Sequence, residues 1–347
     1  MRIHRYTVWP CSPHSRFDIM NQMIGKRKPD RVDFFGPEEW THWWNKHRDS
    51  KYFEEQARDR ELRFIVGSFP NQWLEEYLPP NTKIIYWSTY WISATWLQTE
   101  YETKFDISGP ITVPFMSLNN KPHPHRCEVM DELVRRGMDK NAYISWHVPD
   151  VEYDWKHWSP KKLEVDRYGH PNHLNKNGNA SSFTWSKEFE QIMSSSFMSL
   201  ITESTMDSPF LTEKTFQQIF YKRPFLSFST AKVYAELDKL GFKRYDEVFD
   251  YSFDDVEDDS QRGKMIIDEV EKIIGQDYEA LTKKLRPKLE HNYKRALEIV
   301  GDKSYVPDEI KLSVKENPNF NSTYSKICAV TVYQEDQNKS KKSKSKT

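Results

Sequence analysis

Cysteine is scarce in this chain of 347 residues: Cys11, Cys127 and Cys328 are the only three, odd in number and far apart. Such a set builds neither a disulfide framework nor a zinc-ligand pattern, and it predicts a reducing compartment. Glycine is sparse too. Its 11 residues form no Gly-x-Gly-x-x-Gly turn and no phosphate-cradling P-loop, which speaks against a dinucleotide-dependent oxidoreductase and against a phosphoryl transferase. No apolar run approaches the roughly 18 residues of a spanning helix, and the opening MRIHRYTVWP lacks the apolar core of a secretory signal. The expectation is a soluble, cytoplasmic chain with no membrane span. Net charge is nearly missing, at -1 from 51 basic and 52 acidic residues. The final stretch NKSKKSKSKT carries lysine without any acid, so the remainder is mildly acidic. That argues against a phosphate-backbone footprint over the whole surface, while a local basic groove stays open and the lysine tail, read as a disordered end, offers a route to nucleic acid.

Aromatic residues are plentiful. With 12 Trp, 18 Tyr and 20 Phe inside a 37% hydrophobic total, the chain is globular despite a mean hydropathy of -0.85. Its length is over twice a usual domain of about 150 residues, so two domains are expected. Short apolar runs alternate with amphipathic stretches, the pattern of parallel sheets with crossover helices. In the first part the predicted strands are residues 2–8, 31–35, 63–67 and 83–87. A hinge follows around Gly109, Pro110 and Pro114. In the second part a strand ends at Asn119, and a helix follows with Val129, Met130, Leu133 and Val134 on one face, closed by Gly137. Residues 141–147 are the next strand, and 150–187 a polar excursion. Then come a strand at 197–202, a helix at 213–222 with Phe216, Ile219 and Phe220 on one face, and a strand at 224–228. A helix at 231–240 has Val233, Leu237 and Leu240 inward, and two more run over 261–274 and 277–299. The expected fold class is α/β, with a parallel-sheet domain over residues 1–110, a doubly wound one over 111–305, and 306–347 peripheral.

Two segments place polar residues where parallel sheets bind ligands, at strand C-termini and helix N-termini. In SLNNKPHPHR, Asn119 ends a strand and His125 and Arg126 open a helix. In LITESTMDSPFLTEKTF, Glu203 and Ser204 follow a strand, and Thr212 is the expected N-cap of a helix begun by Glu213 and Lys214. An arginine, a lysine and a helix N-terminus around one crevice suit a diphosphate, and Glu213 beside them suits ribose hydroxyls. A plainer description fits the same residues, namely a solvated first turn at Glu213 and Lys214 and a surface ion pair at Arg126. Spacing alone does not separate the two.

The order of these segments resembles the donor-binding half of fucosyltransferase-like glycosyltransferases of family 10. That family has a strand, Ser-Asn, a spacer, Arg and a helix, then a strand with Glu-Asn, then an aromatic-x-Thr-Glu-Lys block opening a helix. The likeness spans about residues 112–245, and FLTEKTFQQIFYKRPFLSF is its most specific part. It implies a GT-B architecture, two Rossmann-like doubly wound domains facing a cleft, and transfer of a sugar, fucose foremost, from a nucleotide-diphosphate donor, GDP-sugars favoured, to a glycan or other hydroxyl acceptor. Inversion is expected, with no divalent metal required and no tightly bound cofactor. It further implies that Arg126 and Lys214 bind the diphosphate, that Glu213 binds the ribose, and that Glu203 lies in the donor site. Ser204 stands where the family has Asn, Phe210 where it has Tyr, and KIIYWSTYW holds no carboxylate where the family has its base. Without the membrane anchor and disulfides of animal enzymes, the chain resembles the soluble bacterial or viral type.

An inverting enzyme needs a group to take the acceptor proton. The candidates are Glu38, Glu39, Glu75, Glu76 and Glu100, with His14 behind them. His123 and His125 form a His-x-His in a proline-stiffened loop, read as a phosphate or sugar contact ahead of a metal site. The acidic run DEVFDYSFDDVEDD is expected to be a solvated loop before a helix. Trp40, Trp43, Trp44, Trp87, Trp91 and Trp96 are core residues or sugar-stacking platforms. Asn179 and Asn321 match the N-glycosylation pattern by chance. Two alternatives remain. One is an inert protein that keeps the fold as a binding scaffold, motivated by the missing carboxylate. The other is a glycosyltransferase acting on modified bases in DNA, which would give the lysine tail a use.

Overall fold

In the computed structural model the described residues are 3–7, 30–35, 46–67, 69–70, 75, 78, 82–87, 109–119, 123–146, 187–204, 206, 209–302 and 307–308. The chain groups into two compact units, 1–92 with 299–347, and 93–298. The expected boundary at 110 and the observed one at 92 differ over residues whose only described members are Gly109 and Pro110. Both units are α/β, each with a four-stranded parallel sheet.

The first unit pairs β1 (Ile3–Thr7), β2 (Arg31–Phe35), β3 (Glu61–Val66) and β4 (Thr82–Tyr86) in chain order. Phe64, Ile65 and Val66 are buried in succession, as in a strand covered on both faces. From α1 (Lys46–Ala57), Phe53 meets the Phe64 ring edge-on at 5.0 Å. Among the described strands this sheet never reverses, so the doubly wound expectation is not met there. Trp87, just past β4, is 3% exposed and belongs to the core; the other singled-out tryptophans lie outside the described residues.

The second unit orders its strands β6-β5-β7-β8. Strand β5 is Val113–Asn119, β6 Tyr143–Trp146, β7 Ser196–Thr202 and β8 Phe225–Phe228. The chain moves from β5 outward to β6, crosses back past β5 to β7, and continues to β8. The reversal lies between β5 and β7. Every residue of β7 is buried, consistent with a central strand.

Helices cover both faces. On one, Ile192 and Met193 of α3 (Lys187–Ser195) pack on Met116, with Leu118 and Tyr221 alongside. On the other lies α2 (Pro124–Arg135), whose buried Arg126, Cys127, Val129, Met130 and Leu133 repeat at helical spacing. Val134, expected inward, is only half-buried. Pro124 opens α2, where its missing N–H costs nothing. Gly137 ends it at φ 69°, a left-handed conformation that glycine adopts freely. A short 3-10 helix, Met138–Asn141, occupies the start of the strand expected at 141–147. Helix α4 (Glu213–Phe220) joins β7 to β8, and α5 (Val233–Lys239) follows β8. After them come α6 (Asp259–Glu271) and α7 (Tyr278–Asp302).

Helices α2 and α6 are clamped together by charge. Arg136 reaches Glu132 at 2.7 Å, Asp268 at 2.6 Å and Glu271 at 2.6 Å. The guanidinium of Arg135, with that of Arg136 beside it, pulls the Glu132 carboxyl from an ordinary 4.5 down to about 2, against the opposing effect of burial.

The acidic run is more built-in than a solvated loop. Asp254, 3% exposed, accepts from the backbone N–H of Tyr234 and Ala235, both at 3.1 Å, and so caps α5. Asp258 caps α6 by accepting from Gln261 N at 2.7 Å. Burial raises the Asp254 carboxyl, and those N–H groups together with Arg244, 3.3 Å away, oppose that rise. Charge that reads as surface decoration is spent on helix N-termini. Beside it, Tyr234, Tyr245 and Tyr251 are buried, and each phenol oxygen takes a hydrogen bond: from Ser227 N at 2.5 Å, Asn292 Nδ2 at 3.3 Å and Tyr245 N at 3.2 Å respectively.

Candidate functional site: the crevice between β5 and β7

Where strand order reverses, neighbouring connections leave in opposite directions and a crevice opens beyond the strand C-termini. In the second unit its floor is Asn119 at the end of β5 and Thr202 at the end of β7. Both are 3% exposed. The hydroxyl of Thr202 donates to Asn119 Oδ1, while Asn119 Nδ2 donates to Ser117 Oγ at 3.1 Å. Because these side chains share the sheet face that carries α2, they tie the two central strands where the connections diverge.

The first turn of α2 enters from one side. His125 Nε2 lies 2.8 Å from the Glu203 carbonyl oxygen. Its ring packs edge-on to Phe228 at 6.0 Å and is stacked with His123 at 5.6 Å. Arg126 is 4% exposed, and its Nη2 donates to the carbonyl oxygens of Thr202 and Glu203, both at 3.1 Å. Helix α4 enters from the other side. Glu203 has no exposed surface, and its carboxylate reaches the α4 N-terminus. Its Oε1 accepts from Thr212 N and Thr215 Oγ1, both at 3.0 Å, and its Oε2 accepts from Thr212 Oγ1 at 2.7 Å. Thr212 is the N-cap, its hydroxyl accepting from Lys214 N at 3.3 Å. The Lys214 ammonium donates to the same hydroxyl at 3.1 Å, lies 3.9 Å from Glu203 Oε2, and is 31% exposed along its side chain.

Three expected residues, His125, Arg126 and Lys214, therefore converge on Glu203, the first two at its carbonyl and the third at its carboxylate. Their places differ from those the sequence suggested. Arg126, Glu203, Asn119 and Thr212 form the buried frame of the crevice, and Lys214 and His125 are the more open groups. Burial has a plain cause: a backbone carbonyl at a strand end needs a donor once water is excluded, and Arg126 supplies it. Ser204 is half-buried past β7. Glu213, expected at the ribose, begins α4, and its side chain lies outside the described residues.

Of the base candidates, Glu75 is exposed, its Oε1 accepting from Tyr86 Oη at 3.3 Å in the first unit. Glu38, Glu39, Glu76, Glu100 and His14 lie outside the described residues, as do the lysine tail and the excursion at 150–187. Among the described residues no three His, Cys, Asp or Glu side chains are grouped to hold a metal, and no helix is long and apolar enough to cross a membrane.

Sequence reading missed Thr202, Thr215 and Arg262. A threonine closing an apolar strand and a Thr-x-x-Thr spacing at a helix start are legible signals for the first two. Arg262 had none. It is 2% exposed beneath Phe228 and donates to the carbonyls of Ser229 at 2.9 Å, Val256 at 2.6 Å and Glu257 at 3.2 Å. At the opposite end of this sheet is an open cleft of about 460 Å³, bordered by Thr112, Lys140, Tyr143 and Tyr278. It lies at strand N-termini, away from the end where such sheets hold ligands. No protein-family model, curated protein or solved structure matches this chain.

Proposed function

We propose that the chain is a nucleotide-sugar-dependent glycosyltransferase of the GT-B kind, fucosyltransferase-like, seating the diphosphate of its donor in the crevice between β5 and β7. The observation that carries the reading is the meeting of His125, Arg126 and Lys214 around Glu203 at a reversal of strand order. The Lys214 ammonium and the His125 imidazole reach for phosphate oxygens, with Arg126 adding positive potential from behind the carbonyls it holds. An acceptor hydroxyl attacks the anomeric carbon with inversion, the nucleoside diphosphate leaves, and a carboxylate among Glu38, Glu39, Glu75, Glu76 and Glu100 takes the proton. Negative charge grows on the leaving diphosphate, so a cation fixed there is worth on the order of 3 kcal/mol in the transition state. Those fixed cations do the work a divalent metal does elsewhere, and GDP-sugars, fucose foremost, are the preferred donors.

One observation favours a second reading, an inert scaffold: both carboxylate oxygens of Glu203 are held by the protein's own groups, and Arg126 Nη2 is taken up by two backbone carbonyls, so neither contact calls for a ligand. Thermal melting in the presence of GDP, UDP and CDP, followed by hydrolysis assays on the corresponding sugars, separates the two. The glycosyltransferase reading expects a raised melting temperature with GDP that Lys214→Ala removes, together with slow hydrolysis of a GDP-sugar. If no nucleotide shifts melting and no sugar is released, the scaffold reading replaces it.

A further inference from the structure

We infer that Glu203 and Thr212 are positioning residues for Lys214, and that the carboxylate acts on a bound diphosphate through the Thr212 hydroxyl without touching it. This rests on the diphosphate reading of the crevice and assigns its residues a division of labour.

A threonine hydroxyl has one hydrogen to give and two lone pairs to accept with. At Thr212 all three are committed. The hydrogen goes to Glu203 Oε2 at 2.7 Å, and the lone pairs receive the Lys214 backbone N–H at 3.3 Å and the Lys214 ammonium at 3.1 Å. The direction of that single hydrogen is imposed from behind. Glu203 carries no hydrogen to offer as a carboxylate, so Thr212 must be the donor, and both lone pairs are left facing Lys214. The carboxylate cannot wander, because Thr212 N and Thr215 Oγ1 hold its other oxygen, both at 3.0 Å. Its mobility is further limited by complete burial. The ammonium, at 3.9 Å, is beyond a direct hydrogen bond to that carboxylate. Orientation therefore passes through the hydroxyl.

The arrangement fixes the long, flexible Lys214 stem at a helix start through a neutral hydroxyl, with the Glu203 carboxylate kept 3.9 Å from the ammonium. A lysine held in this way has already lost much of the rotamer freedom that binding would otherwise remove. Glu203, which the sequence placed among donor contacts, thus belongs to the scaffold behind the cation.

The test is a double-mutant cycle on GDP affinity, with UDP and CDP measured in parallel, using Thr212→Val, Thr212→Ser, Glu203→Gln and Lys214→Ala in the full chain, each checked for cooperative unfolding. Thr212→Val removes the hydroxyl and should weaken GDP binding about tenfold, the loss expected of one displaced charged hydrogen bond. Thr212→Ser keeps the hydroxyl and should restore affinity. In the Lys214→Ala background Thr212→Val should have no further effect, which a merely structural role for Thr212 would not produce. If Lys214→Ala weakens binding while Thr212→Val leaves it unchanged or acts additively, the positioning role falls and the diphosphate reading stands. If the wild type binds none of the three nucleotides, both fall together.

Discussion

The two parallel sheets are built alike along their strands and differently across them. Strands β1 to β4 lie side by side in chain order, so successive crossovers of one hand leave in one direction and no gap opens between neighbours. In β6-β5-β7-β8 the order turns back once, and beyond that turn the polar groups collect. The end of β5 contributes Asn119, the end of β7 contributes Thr202 and Glu203, and two helix starts contribute His125, Arg126, Thr212 and Lys214. The contrast teaches that the position of a polar residue along a strand matters less than which neighbour its strand has. A strand end beside a reversal meets two helix N-termini, and one inside a monotonic run does not.

The largest effect that would break this comparison is a core truncation set against a crevice truncation. Phe64→Ala removes a fully buried ring from β3 and should cost about 4 kcal/mol in denaturant unfolding, with nucleotide affinity unchanged. Glu203→Ala leaves three donors at the α4 N-terminus without their acceptor. It should cost about 3 kcal/mol and weaken GDP binding as well. Equal effects of the two on binding would erase the distinction between the sheets. A smaller effect sharpens it. Gly137→Ala places a side chain at φ 69° and should cost about 1 kcal/mol, read as a lowered midpoint of urea unfolding. The smallest is acid sensitivity of the α2–α6 clamp. Glu132 is held at about 2 from an ordinary 4.5. A lowered carboxyl stabilises the fold above its unfolded value, and that contribution drains away as pH falls from about 4.5 to 2. Urea midpoints of wild type and Glu132→Gln should differ at pH 6 and converge near pH 2.

Much of this architecture was readable beforehand. Strand β2 was placed residue for residue, the other described strands largely overlap their expected ranges, and Thr212 and Gly137 were identified as helix boundaries because capping is a local chemical requirement. The convergence of His125, Arg126 and Lys214 followed from strand ends and helix starts. Burial did not. Whether Arg126 faces solvent or a carbonyl depends on a strand end 76 residues away in sequence, which no local pattern encodes. The same holds for Asp254, whose role as a cap is set by a helix about twenty residues earlier, and for Arg262, which beside its local partner Asp259 holds backbone oxygens that any sequence would supply. The strand order of the first unit was also beyond local reading, since monotonic and reversing sheets share one alternation of strand and helix.

The trio of Tyr234, Tyr245 and Tyr251 carries a consequence at the other end of the pH scale. Burial pushes all three phenols above their ordinary value of 10, so the native chain keeps these protons in alkali where an open chain would release them. Stability drawn from that retention is whole below pH 10 and drains away as the solution becomes more basic. Ionisation of these rings is thereby coupled to the opening of the second unit, so the share of the phenolate absorbance that these three of the chain's 18 tyrosines contribute reports when that unit comes apart.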